Sequence, residues 1–206
     1  MSTPTPRGPR GPYRVGIRRR EQILEAATEV FAKHGYAGGS LRRIAEEIGV
    51  TPAALVRHFG SKEALFAAVL ERSDLRNAAD RLTGVDGLAF LRTWGDVIEA
   101  NTRNRGMVEL LLTVAGEATD PDHPARPFMT RRYTTVVSVI ARAVDQAIAA
   151  GEIAPMTPER VHAEARGFIA LMDGLELQWL LDPSVDLPGV YRQLLDATIA
   201  RWQQKP

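Results

Sequence analysis

The groups in this sequence best suited to chemistry are cations gathered at its front. Residues 1–20 hold Arg7, Arg10, Arg14, Arg18, Arg19 and Arg20, with no acid before Glu21. Arg42, Arg57, His58 and Lys62 then bracket the stretch SLRRIAEEIGVTPAALVRHFGSK, residues 40–62. A guanidinium is a rigid fork of donors that matches phosphate and the O6/N7 edge of guanine. Over residues 1–60 there are ten Lys/Arg against five Asp/Glu, and the remainder carries 16 against 20. Only the front of the chain is therefore suited to a polyanion. A second group, Thr119-Asp120-Pro121-Asp122-His123-Pro124, sets two carboxylates and an imidazole close together. Such a set either binds a divalent cation or caps a turn before a helix, as Asp and Pro commonly do. The remaining histidines, His34, His58 and His162, have no metalloprotease spacing. There is no nucleophile elbow, P-loop or dinucleotide-binding glycine pattern, so nothing marks an enzyme, and no cofactor or metal is expected.

Residues 40–62 read as two short helices that position these cations. Leu41, Ile44, Ala45 and Ile48 recur at helical spacing on one face. Ser40 is placed to cap that helix, and Gly49 stands where a left-handed residue is needed. Thr51 restarts the chain as an N-cap with Pro52 at the first helical position, Leu55 and Phe59 face inward, and Gly60 ends the helix. Two helices joined around a glycine form the helix-turn-helix pattern, whose second helix enters the DNA major groove.

Residues 1–16, rich in Pro and Gly, read as irregular: either a flexible basic arm for phosphates and the minor groove, with Arg14 and Arg18 among its contacts, or a solvated tail. A long helix follows from Ile17 to His34, closed by Gly35, with Ile23, Leu24, Ala27, Val30 and Phe31 as its apolar stripe. Ser61 caps a further helix over 62–80, and residues 83–86 read as a break. Further helices are expected over 87–104, 107–118, 127–150, 158–181 and 188–203, punctuated by Pro and Gly. No alternating strand pattern appears, so the fold class is all-α. The chain has 206 residues, 45% of them hydrophobic, and no cysteine. It can bury one sizeable core or two small ones, and it carries neither disulfides nor thiolate metal sites. No apolar run reaches the roughly 18 residues a membrane span needs, and a cytoplasmic location fits.

The run AATEVFAKHGYAGGSLRRIAEEIGVTPAALVRHFGSKEALFAAVL resembles the DNA-binding domain of the tetracycline-repressor (TetR) family of transcriptional regulators. The matching positions are Ala26-Ala27, Phe31, Gly35-Tyr36, Ser40-Leu41, Ile44-Ala45, Gly49-Val50, Leu55, His58-Phe59, Lys62 and Leu65. The resemblance implies an arm (1–16), a helix-turn-helix domain (17–62), and a linker helix with a ligand-binding and dimerisation domain (63–206). It also implies a homodimer acting on a palindromic operator in double-stranded DNA. Thr51–Phe59 becomes the recognition helix. Pro52, Ala53 and Val56 then fall where the family faces bases, and Ser40, Ala54, Arg57, His58 and Lys62 where it contacts phosphate. Arg42 falls where a long side chain reaches a base edge. Val56 stands where the family usually has Tyr, and Ala54 has no hydroxyl to offer. That face can make only apolar contacts, for instance with thymine methyls, so specificity leans on Arg42, on DNA shape and on the arm. Arg57 also fits an ordinary surface ion pair, and His58 fits packing beside Phe59.

Val161, Ala165, Phe168, Met172, Leu175 and Trp179 step by four and three like a heptad seam. Tyr191, Leu194, Leu195, Thr198 and Trp202 form the neighbouring stripe. By resemblance the two helices pair with their symmetry mates, with Phe168, Met172, Leu175, Trp179 and the second stripe at the interface; an intrachain core is the other reading. Phe90, Trp94, Met107, Leu111, Phe128, Met129, Tyr133, Phe168 and Met172 are large or soft apolar groups that either line an effector pocket or form plain core. As a pocket they favour a small lipophilic or aromatic effector. The expected function is a ligand-responsive repressor. The alternative is a helical small-molecule sensor that binds no operator.

Overall fold

A computed structural model describes residues 12–79 and 86–204. Among these residues all regular structure is helical. The helices are α1 (Pro12–Gly38), α2 (Leu41–Glu47), α3 (Pro52–Phe59), α4 (Lys62–Ala79), α5 (Gly87–Thr102), α6 (Arg105–Glu117), α7 (Arg126–Ala149), α8 (Pro158–Leu181) and α9 (Leu187–Gln203). The caps read from sequence form. Ser40 Oγ accepts from the Arg43 amide at 3.1 Å, Thr51 Oγ1 from the Ala54 amide at 3.2 Å, and Ser61 Oγ from the Ala64 amide at 3.1 Å. Gly49 (φ 64) and Gly60 (φ 86) take the left-handed conformations that end α2 and α3.

The first helix departs from expectation at both ends. It starts at Pro12 rather than Ile17 and runs through Gly35 to Gly38. A proline in the first turn has no intrahelical acceptor to lose, and an internal glycine costs only about 1 kcal/mol. Burial of Ile23, Leu24, Ala27, Val30 and Phe31 outweighs that cost. Residues 12–16 are thus helical, not irregular. The rest of the expected arm, residues 1–11 with Arg7 and Arg10, and most of the expected break at 83–86 lie outside the described residues.

The apolar stripes close over two cores. The front core joins α1, α2, α3 and α4 to α6 and to Phe128 and Met129 at the start of α7. Phe31 and Phe66 meet edge to face in it, with ring centroids 5.9 Å apart. The back core joins α5, α7, α8 and α9, with Val108 of α6. Helix α6 packs along α1, so an element from the second half of the chain completes the core beneath the helix-turn-helix. Leu110, on α6, is fully buried there. Leu110→Ala is expected to cost about 2–5 kcal/mol of stability, read by urea denaturation. A cost well under 1 kcal/mol would show that α6 does not support this core.

Candidate nucleic-acid interface and interior polar cluster

Helix α3 is held by its inner face and leaves its outer face open. Leu55 is fully buried, and Phe59 is half-buried with the Arg20 guanidinium 4.6 Å above its ring. Pro52, Ala53, Val56, Arg57 and His58 are exposed, and Val56 reaches 45% exposure. Ala54 is half-buried, as is Lys62, whose ammonium is lowered in pKa by burial, with the carboxylates of Glu63 and Glu117 opposing. Arg42 stands in the first turn of α2, exposed, with its Nε donating to Glu46 Oε1 at 3.0 Å. An exposed pair one turn apart contributes only about 0.3–0.5 kcal/mol, so a phosphate or guanine can displace Glu46. Arg18 is exposed on α1; Arg14 lies in the same helix, its side chain outside the description.

The nine large residues expected to line one pocket divide between the two cores. Met107, Leu111, Phe128 and Met129 belong to the front core, and Phe90, Phe168 and Met172 to the back core, with Trp94 packed against it. Tyr133 packs against both. Around Tyr133 lies a polar cluster inside the back core. The Tyr133 hydroxyl donates to Asp173 Oδ2 at 2.7 Å, and Asn101 Nδ2 donates to Glu176 Oε1 at 2.6 Å. Asp173 Oδ1, Glu176 Oε2, Tyr191 Oη and Trp94 Nε1 are buried with no hydrogen-bond partner. Phe168 joins the two aromatic ends, edge to face with Trp94 at 5.8 Å and with Tyr191 at 6.0 Å. Burial pushes the Glu176 carboxyl up to about 7, against the Asn101 hydrogen bond and with help from Asp173. Burial also raises Asp173, which its bond from Tyr133 and the charge of Arg132 hold down, and it raises both tyrosines. Sequence reading passed over Asn101, Asp173 and Glu176. The available signal was an acid, Glu176, sitting on the buried stripe of α8 between Met172 and Trp179.

The seam expected to meet a partner is turned inward. Phe168, Met172, Leu175, Trp179, Tyr191, Leu195 and Trp202 are all buried against helices of the same chain. Of the expected interface set, Leu194 is exposed and Thr198 half-buried. The stripe left outward on α8 is a different one, with Leu177 at 51% and Leu181 at 79% exposure. A groove between α8 and α9 runs beside it, lined by Leu171, Leu194 and Thr198 above Phe168 and Tyr191. The loop carboxylate and imidazole serve the turn: Asp120 Oδ1 accepts from the Asp122 amide at 2.9 Å, and His123 Nδ1 from the Ala125 amide at 3.2 Å.

Glu176 makes stability depend on pH. Its folded pKa of about 7 lies above the ordinary value of 4.5. The stability it contributes is full below the ordinary value and is lost as pH rises through the folded one. The groups facing it are Asp173 on α8, Tyr133 and Arg132 on α7, Tyr191 on α9 and the neutral Asn101 on α5. Glu176→Gln keeps an acceptor for Asn101. It is expected to stabilise the protein by about 3 kcal/mol near pH 8, a gain that shrinks toward pH 5, read by denaturant titration at each pH. An equal effect at both pH values would contradict the assignment.

Comparison with known proteins agrees with this geometry. The family described as "Bacterial regulatory proteins, tetR family" matches residues 23–69, and "BetI-type transcriptional repressor, C-terminal" matches residues 89–203. The chain is 31% identical to the HTH-type transcriptional regulator TtgR of Pseudomonas putida over 201 residues, covering 91% of this chain and 92% of that protein. It is 42% identical to the HTH-type transcriptional repressor AcnR of Corynebacterium efficiens over 67 residues, a match spanning only 35% of that protein. The crystal structure of a putative TetR-family transcriptional regulator from Rhodococcus sp. superposes with a TM-score of 0.75 at 27% identity, covering 91% of this chain and 100% of that one. A capped helix pair with an open outer face, on a helical body matched along its length, makes this chain a member of the TetR family of DNA-binding transcriptional regulators and not an enzyme.

Proposed function

We propose that this chain is a cytoplasmic homodimeric repressor that holds a palindromic operator and releases it when a small molecule enters the helical body. The observation that carries the reading is the state of α3. Its inner face is anchored by the fully buried Leu55, while Val56 is exposed and exposed Arg42 and Arg57 flank it. A helix this open, capped by Thr51 and ringed by cations, fits the major groove. Its outer face has no hydrogen-bond donor at Pro52, Ala53 or Val56, so direct reading of guanine falls to the two arginines. Thymine methyls and groove shape supply the rest.

Two half-sites one DNA turn apart need two copies of α3 at a fixed spacing of roughly 34–36 Å. For the partner surface we favour the outward stripe of Leu177, Leu181 and Leu194 with Thr198 over the inward seam, because the seam is already covered. Exposed leucines on two neighbouring helices suit a self-complementary interface. The aromatic side chains of Trp94, Phe168 and Tyr191 support an apolar body for the effector.

Selection of bound duplexes from a random pool tests the operator reading. A symmetric motif is expected, and enrichment of no motif would overturn it. Arg42→Ala is expected to cost about 1–3 kcal/mol in affinity and to relax preference at one base pair per half-site. Equal weakening on all sequences would make Arg42 a phosphate contact. Leu177→Arg with Leu181→Arg is expected to yield a helical monomer by sedimentation, with weakened operator binding; a persisting dimer would move the interface elsewhere.

A further inference from the structure

The polar cluster in the back core has a chemistry that an apolar effector does not satisfy. Glu176 is 1% exposed, with one carboxylate oxygen bonded to Asn101 and the other without a partner. Asp173, three residues earlier on the same helix, has one oxygen bonded to Tyr133 and the other buried without a partner. A buried polar group without a partner costs about 1–3 kcal/mol, and more when charged. Two such acceptors in one place are therefore a demand for donors. The Tyr191 hydroxyl, also unpartnered, feels the charge of Glu176, and the Tyr191 ring continues through Phe168 to Trp94. The region thus has an acidic end and an aromatic end.

We propose that this region binds a protonated organic amine with an apolar body, the N–H groups donating to Asp173 Oδ1 and Glu176 Oε2 and the body lying against Trp94, Phe168 and Tyr191. The proposal rests on the reading of the chain as an effector-controlled regulator and names the effector's class. An uncharged apolar molecule leaves both oxygens unmet, and an anion is repelled by both. A hard divalent cation needs six or more oxygens, more than two side-chain carboxylates supply. An ammonium group meets the acceptors with directional donors, and the aromatic faces add attraction for a cation in a desolvated setting. Arg132 lies near enough to lower the pKa of both acids, yet it leaves these two oxygens without a hydrogen bond. Because burial holds Glu176 protonated to about pH 7, binding a cation displaces a proton, and affinity rises with pH across that value. The groups that set this dependence are Glu176, Asp173, Tyr133, Tyr191 and Arg132, with Asn101 as the neutral donor.

The experiment uses the full chain and a panel of 2-phenylethylamine, tryptamine and n-octylamine, each beside its alcohol and carboxylate counterpart. Calorimetry and thermal shift near pH 8 read binding. At least one amine is expected to bind about tenfold or more tighter than its counterparts, and to weaken about tenfold in Asp173→Asn and again in Glu176→Gln. Tighter binding at the alkaline side of pH 7 is expected as well. If no amine exceeds its alcohol, or if both variants bind the amine as the native chain does, the proposal is overturned. The same compounds are then added to the native chain on its selected duplex. Release by the amine supports both readings. Binding without release keeps the amine site and overturns effector control, whereas release by an alcohol or carboxylate alone keeps effector control and overturns the amine site.

Discussion

The helix-turn-helix is too short to cover its own apolar face, and the architecture follows from that. Helix α2 has seven residues and α3 has eight, and together they place Ile44, Ala45 and Leu55 at full burial. So small an apolar surface does not offset the entropy of ordering the segment. The remaining burial comes from α1, from Leu65, Phe66, Val69 and Leu70 on α4, and from α6. Helix α6 is fixed at its other end as well. The Arg105 guanidinium donates to the carbonyls of Trp179 and Leu180 at the end of α8, and lies 5.0 Å above the Trp179 ring. One helix therefore touches both the support of the DNA-facing pair and the helix that carries Asp173 and Glu176. A shift of α8 moves α6 or breaks these contacts, and packed cores resist intermediate positions.

Helix α8 accordingly answers to three neighbours. Its inward seam fills the back core, its polar pair faces Tyr133 and Asn101, and its outward leucines are left to solvent in the single chain. A helix with only one apolar stripe would not need Leu177 and Leu181, since removing them would expose no core. Burying two acids within four residues on such a helix works against stability. The arrangement persists because Tyr133 and Asn101 each satisfy one oxygen, leaving the cluster partly met. Partly met buried groups concentrate where a molecule is to be bound, as stability is given up there for affinity.

The local signals in the sequence were strong and mostly sufficient. Helical spacing, Ser40, Thr51 and Ser61 as caps, and glycines after α2 and α3 are short-range facts, and each appears in the structure where the sequence places it. Long-range facts were harder. That the seam from Val161 to Trp179 is apolar is plain from its spacing, but spacing does not say which helix covers it, and the cover is α6, α7 and α9 of the same chain, with Trp94 of α5 against Phe168. Likewise Met107 and Phe90 look alike in sequence yet belong to different cores, because only tertiary packing sends Met107 forward and Phe90 back. The polar cluster was invisible for the same reason: Tyr133 and Asp173 are forty positions apart. The early start of α1 was missed because Pro and Gly were read as breakers, whereas a first-turn proline is a starter.

That early start changes what the front arginines can do. Were they on a disordered tail, each contact with phosphate would carry the entropy of ordering a backbone, about 1–2 kcal/mol per residue. In α1 that order is already present. Arg18, Arg19 and Arg20 sit on a helix packed into the front core, and Arg14 lies one turn before Arg18. Arg20, exposed, lies with its guanidinium 4.6 Å above the Phe59 ring, which ties α1 to α3. Arg19 donates to Gln22 along the helix, and Arg18 remains exposed beside it. These cations therefore stand at set positions on one helix, and one of them also contacts α3. Preorganised charge loses less on binding than a mobile one.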